Sequence, residues 1–398
     1  MQIMKNKFWV YFVVLFLGAF IATEAEAQKV RGGNIGTAGS DGVNQAKGGY
    51  KYWYKRNVIR RAPHNHRWIW SKRREYWTVG INASAMNYFG DIVPRPEFTS
   101  TDIRFTRPYI SVFATKRFRP QMTGRFMIGW GRAAGADSTS ASPTTNHDVF
   151  RYIRNASFRN DVVEFSTSIN IDLASEERLN KEYYKRPSGI IPYVTLGIGV
   201  FHHNPKAKTP SQFGGDWVAL QPIGTEGQGR SRQVSVNDSV TRTISYGDKY
   251  SRWQVCFPLG IGFRKKLSAK WDLAFEVNYR FMLTDYFDDV SRKYVDPGLF
   301  GDDELGRAMH DRSREDGRAD RLAAMFDEGN LAYWGAKSSE TFTGVDGKTY
   351  TTFIGFGNEN NIENIRGNSR DRDVLLVTGF HLSYILAPES VVCPLRYR

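Results

Sequence analysis

An all-β fold, an eight-stranded antiparallel transmembrane barrel of the outer-membrane kind with long extracellular loops, is what this sequence predicts, on three observations. The first is the segment 271–281, where large apolar side chains alternate with small or charged ones without a break. Trp271, Leu273, Phe275, Val277, Tyr279 and Phe281 share one face, and Asp272, Ala274, Glu276, Asn278 and Arg280 share the other. Successive strand residues point to opposite sides of a sheet, so the segment is one strand, apolar outside and charged inside. A soluble barrel would wet its outer face; an outer-membrane barrel turns the apolar face to lipid. The second observation is the number of such stretches, which is eight and therefore even. The third is that their connections alternate between short and long, as in outer-membrane barrels with short periplasmic turns.

The chain opens with Lys5 and Lys7, an apolar run from Phe8 to Ile21, and Ala25-Glu26-Ala27. A basic start, a short apolar stretch and an A-x-A site read as a secretory signal peptide over 1–27. That run is short of the roughly 20 residues a spanning helix needs. No later segment holds 18 consecutive apolar residues, so a membrane protein of this sequence must span as a closed barrel. A mean hydropathy of −0.47 is compatible with that, because barrels carry polar lumens and wet loops.

The net charge of +14 is concentrated in residues 28–75, which carry twelve Lys or Arg against two acids. Bases and aromatics interleave there, with Tyr52, Trp53, Tyr54, Trp68 and Trp70 among Lys55, Arg56, Arg60, Arg61, Arg73 and Arg74. So many aromatics are out of place in a solvated linker. The segment is expected to be a periplasmic extension that docks on a protein partner or a lipid surface. Nucleic acid is not an expected partner of an exported chain, despite the basic patch.

The expected strands are 76–90, 104–118, 121–133, 159–173, 190–203, 250–265, 269–284 and 372–386, giving a barrel domain over 76–386. In the fourth, Val163, Phe165, Thr167, Ile169, Ile171 and Leu173 face out while Glu164, Ser166, Ser168, Asn170 and Asp172 face in. In the sixth, Trp253, Val255, Phe257, Leu259, Ile261 and Phe263 face out, and Gly260 and Gly262 face in. Arg119-Pro120 and Leu267-Ser268 are the short turns; 91–103, 134–158, 204–249 and 285–371 are the long loops. Eight strands fill their interior with side chains, so Glu164, Asp172, Glu276 and Arg280 are expected to pair within the lumen and close it. An even strand count returns both chain ends, including the tail 387–398, to the periplasm.

Asp285, Asp288 and Asp289 cluster at the expected outer mouth. Carboxylates of this kind bind Ca²⁺, but the reading preferred here is a loop-capping hydrogen-bond network with Arg292 or a loop arginine. His202-His203 and His64-x-His66 are read as loop or interfacial residues, since adjacent strand histidines point apart and do not chelate together. No G-x-S-x-G elbow or recognisable nucleophile–base spacing occurs, so no enzyme, metal, cofactor or small-molecule substrate is expected. Gly224-Thr-Glu-Gly-Gln-Gly229 lacks the Lys-Ser/Thr and helix of a phosphate loop and reads as a turn docked on the barrel rim. Cys256 falls on the inward face of its strand and Cys393 in the tail, too far apart for an internal disulfide; Cys393 is the accessible thiol.

Five segments go beyond strand patterning: Asn87-Tyr88-Phe89-Gly90-Asp91, Arg154-Asn155-Ala156-Ser157-Phe158-Arg159, Phe201-His202-His203-Asn204-Pro205-Lys206-Ala207, Leu220 to Gly229, and Thr284 to Ser291. In this order they resemble the Bacteroidetes outer-membrane barrel family that includes PorG of the Por (type IX) secretion system. The resemblance covers about residues 75–387 and implies an eight-stranded outer-membrane barrel. For the PorG member it implies association with the periplasmic ring of the secretion and gliding machinery. The expected function is then a non-enzymatic outer-membrane anchor in contact with lipid and with periplasmic ring or lipoprotein components. The basic residues above, Trp68, Trp70 and Cys393 would be its contacts. The alternative is a small OmpA-like structural barrel whose loops bind a ligand or neighbouring protein.

Overall fold

The computed structural model describes residues 76–92, 105–119, 121–142, 148–173, 190–237, 240–268, 270–315, 321, 324, 339–360, 364–370 and 372–386. The expected signal peptide 1–27, the expected extension 28–75 with its candidate contacts, and the tail with Cys393 lie outside them. Eight long strands form the wall: β1 Trp77–Phe89, β2 Arg107–Arg119, β3 Met122–Ala136 and β4 Ser157–Asp172. They continue as β5 Ile190–His202, β6 Trp253–Lys266, β7 Trp271–Met282 and β8 Val374–Ile385. Each pairs antiparallel with its neighbours in sequence, and β8 pairs with β1, so the sheet closes. Closure satisfies every strand on both sides, which is the condition for a sheet to exist in hydrocarbon.

The alternation seen in the sequence sets the two faces of this wall. Ile81, Ile110, Phe126, Ile261 and Phe380 each leave more than half of their surface open on the outside. An apolar belt of that extent is covered by lipid, not water. Aromatics border it at the turn end, where Trp271 packs on Tyr384 with ring centroids 5.0 Å apart and Lys116 Nζ lies 5.5 Å over Trp77. No described helix is long and apolar enough to cross a membrane; the crossing is made by strands.

Inside, large side chains are accommodated by glycines on the next strand. Tyr193 lies over Gly262, where a methyl group would come within 2.4 Å of the ring, and Tyr109 lies over Gly129 and Gly131. The eight strands fall where the sequence puts them, with shifted ends. β3 runs on to Ala136 and β4 starts at Ser157, so residues 134–136 and 157–158 of the expected loop 134–158 are strand. Pairing continues there because Arg132 and Asp161 bridge the two strands beyond the apolar belt. The expected loop 204–249 also adds to the wall: Pro205–Lys208 pairs with β4, and Trp217–Ala219 pairs with it in turn. β6 begins at Trp253, where its alternation starts and three residues later than the expected strand 250–265.

The belt gives a direct test. Asp in place of Val277, on the lipid face, is expected to cost about 1–2 kcal/mol of unfolding free energy in bilayers. Asp in place of Ala274, on the inward face directly opposite the Arg264 cation of β6, is expected to cost clearly less. Equal effects of the two in denaturant titrations would contradict the assignment of faces.

Candidate functional site

The lumen holds three tiers of charge. Nearest the turns, Asp172 accepts from Arg264 Nη2 at 2.7 Å, with Arg117 at 3.8 Å. In the middle, Arg125 Nη2 lies 2.9 Å from Glu276 Oε2, from Asn170 Oδ1 and from Thr195 Oγ1, and the Tyr193 hydroxyl donates to Glu276 at 2.8 Å. Towards the loops, Arg280 Nε donates to Glu164 at 2.7 Å, the Tyr109 hydroxyl donates to the same oxygen, and the guanidinium sits over the Tyr109 ring. Glu164 and Arg280 are thus direct partners. Glu276 is held by Arg125, a residue the sequence reading did not single out. All of these side chains but the partly exposed Arg264 are buried, and the barrel interior is filled.

Above the lumen, the loops fold into a cap with a polar core of its own. At its base, Tyr88, the penultimate residue of β1, places its hydroxyl 2.6 Å from both Asp288 Oδ2 and Asp373 Oδ1. Burial, with Asp373 and Asp91 close by, holds the Asp288 carboxyl well above the usual carboxylate range. A hydroxyl has one proton, so Tyr88 donates to one of these two carboxyls at a time. Asp373 also accepts from the Phe287 amide at 2.9 Å, and Asp288 from that of Val290 at 2.9 Å.

The second tier of the cap centres on Arg366. It donates to Glu226 Oε1 at 2.9 Å and to the Asp289 carbonyl at 2.7 Å. Glu226 accepts in addition from the amides of Ser291 and Arg292, at 2.9 and 3.0 Å. Asp289, in a left-handed backbone conformation (φ 69°), accepts from Thr225 Oγ1 at 2.5 Å and from the Tyr250 hydroxyl at 2.7 Å. The turn from Gly224 to Gly229 therefore docks against the segment 288–292. Its glycines at 224, 227 and 229 all have positive φ, which side chains other than glycine rarely adopt. Arg154 ties in the loop 134–158: its guanidinium forks onto both oxygens of Asp137 at 2.7 and 2.9 Å and donates to the Arg366 carbonyl at 2.6 Å. Asn160 donates to the Phe287 carbonyl at 2.7 Å, and His203 stacks between Phe287 and Tyr250.

All five segments singled out in the sequence meet here. The three aspartates do not converge on one point: Asp288 faces Tyr88, Asp289 faces Thr225, Tyr250 and Arg366, and Asp285 is half-buried. No group of three potential metal-ligating residues occurs among the described residues. The arginine of the network is Arg366; Arg292 contributes its backbone amide to Glu226 and its side chain to the Tyr246 carbonyl. Of the adjacent histidines, His202 packs outward on Trp253 and His203 is buried. Cys256 is buried on the inward face. Arg125, Arg366, Glu226, Tyr88 and Asp373 escaped sequence reading as site residues. The one available signal was an Asp immediately before the last strand, at the same end as the Asp cluster.

Burial pushes the Asp285 carboxyl up to about 8, outweighing the Ser291 hydroxyl, with Asp373 and Asp91 adding to the rise. Burial likewise lifts Asp289 to about 6 and lowers His203 and His310 to about 4. The raised carboxyls contribute stability that is present below about pH 4 and is lost as pH rises through 6 and 8. The neutral histidines contribute stability that is present above about pH 6.5 and is lost as pH falls towards 4. Asp285→Asn is therefore expected to flatten the loss of loop protection between pH 6 and 8 and leave the acid limb unchanged. Hydrogen exchange of loop amides across that range measures both limbs.

No family model matches the chain, and no curated protein matches its sequence. Solved structures similar to it include Neisserial surface protein A, at 8% identity and a TM-score of 0.30, over 77% of this chain and 96% of that one. Ail, the attachment invasion locus protein of Yersinia pestis, is similar at 6% identity and 0.28, over 78% and 99%. OprG of Pseudomonas aeruginosa is similar at 6% and 0.30, over 79% and 97%. The class follows from the chain's own closure and apolar exterior: it is a transmembrane β-barrel of the outer-membrane type. Its lumen is filled by paired charges, and its loop end is covered by a hydrogen-bonded cap.

Proposed function

We propose that this protein is a non-enzymatic outer-membrane anchor for a protein-export complex, PorG-like and of the type IX kind. In this reading the barrel is held in lipid with both chain ends periplasmic. The basic aromatic segment 28–75 and the tail with Cys393 engage ring or lipoprotein components. The observation that carries the reading is the filled lumen beneath a locked cap. A barrel with charge pairs across its interior is a rigid post, and its work falls to its surfaces and appended segments. The meeting of the five resembling segments in one buried network adds support, since they form a unit of structure.

Deletion of residues 28–74 is expected to abolish secretion while the barrel still inserts, as judged by heat-modifiable migration in detergent gels. Complexes purified in mild detergent should lose periplasmic components at high salt, because exposed charge contacts are screened beyond about 8 Å at physiological ionic strength. Any Cys393 adduct should be lost on reduction. Normal secretion after the deletion would move the assignment to an OmpA-like barrel that acts through its loops.

A further inference from the structure

The outer wall stays apolar up to a row formed by Trp130, Val163, His202 and Trp253, which lie opposite one another on β3, β4, β5 and β6. Two residues further towards the loops, Arg132 faces Asp161 and binds it at 2.6 Å. Two residues beyond that, Arg159 lies opposite Lys206, and Lys208 follows, opposite Trp217. These cations are on the outward face, because the residues alternating with them, Phe158, Asn160 and Ala207, are buried beneath the sheet. Four residues along a strand tilted about 40° rise about 10 Å, which brings Arg159 and Lys206 from the edge of the hydrocarbon to headgroup height.

The Arg159 guanidinium stacks on the exposed Trp217 ring, 4.1 Å from its centroid, and Lys208 Nζ lies 5.9 Å from the same ring. The stack fixes the guanidinium without neutralising it. Asp161 is taken by Arg132, and among the described residues no carboxylate, Asp216 beside Trp217 included, pairs with Arg159, Lys206 or Lys208. Three cations with no counter-ion among the described residues, one of them held flat, suit a phosphate group, which a guanidinium binds through two parallel hydrogen bonds.

We infer that Arg159, Lys206 and Lys208, with Trp217, bind the phosphate of a phosphorylated glycolipid headgroup in the outer leaflet. This rests on the reading that the loops face outward. The test uses the full chain in detergent, with lipid A carrying two phosphates or none as the probe, and native mass spectrometry as the readout. Wild type is expected to retain the phosphorylated form about tenfold better, the scale of one charge-assisted hydrogen bond. Arg159→Gln/Lys206→Gln/Lys208→Gln is expected to lose that preference, while Lys116→Gln at the opposite rim keeps it. Should the triple variant fail to show heat-modifiable migration, Lys206→Gln/Lys208→Gln is read in its place, with partial loss expected. Retention by the variant equal to wild type, no preference in wild type, or displacement of the lipid by equimolar inorganic phosphate would each overturn the assignment. Detergent has no sidedness, so the outcome is independent of topology, which labelling of an introduced loop cysteine on intact cells decides.

Discussion

Arg125→Met is expected to destabilise the barrel by about 3–5 kcal/mol, the cost of leaving a buried carboxylate without its cation. Arg125 is the only cation placed against Glu276 by the described ion pairs, and it also joins Asn170 and Thr195 across the lumen. Without it, Glu276 keeps the Tyr193 hydroxyl and the Asn278 amide, both neutral donors. These satisfy hydrogen bonding and leave the charge uncompensated. Replacing both partners, as Arg125→Met/Glu276→Met, should recover most of the loss, because an apolar pair of similar volume is often neutral against a buried ion pair. Denaturant titration in lipid vesicles measures both variants. A double variant as unstable as the single one would show that Arg125 acts by packing and not by charge.

The second large effect is expected at Arg366→Met, also about 3–5 kcal/mol but confined to the cap. Glu226 and Asp289 are fully buried and both face this guanidinium. Glu226 retains two backbone amides, whereas Asp289 retains Thr225 and Tyr250. The segment 220–229 should then separate from 284–292 and become open to proteases. The wall, whose ladder does not include Arg366, should keep its heat-modifiable migration. Glu226→Gln in the Arg366→Met background should restore part of the protease resistance. Loss of barrel insertion in Arg366→Met would mean that cap and wall form one cooperative unit.

Most of the wall was legible because its physics is local. The alternation in 162–173, 253–263 and 271–281 names the face of each residue, and nothing further is needed to place Glu164, Glu276 or Arg280 inside. Who pairs with whom was not legible. Arg125 and Glu276 stand on strands that are not neighbours, and their meeting depends on the stagger of the closed sheet, which leaves no mark in either segment. The cap is harder still. Glu226 and Arg366 come from loops 140 positions apart, and each is an ordinary polar residue in a polar stretch. Strand pairing beyond the apolar belt, at 134–136 and 205–208, was missed for a related reason: alternation loses its hydrophobic contrast once the outer face meets headgroups and water.

The seam between β1 and β8 has a consequence for how such a chain is built in the cell. Every other pairing among the eight long strands joins strands that follow one another, whereas this one sets Thr78 opposite Ile385, roughly 300 positions later in synthesis. Until the last strand exists, the first offers a bare row of amides and carbonyls, the arrangement that recruits foreign strands. The entropy of so long a closure grows only slowly with length, so the hazard is one of waiting time. Tyr88 near the end of β1 and Asp373 just ahead of β8 meet at this join, and the loops fasten what the ladder zips. Before that fastening, the exposed edge stays open to pairing with other strands. Slowing the arrival of β8 should therefore send the chain towards aggregation before any change in the finished barrel is visible.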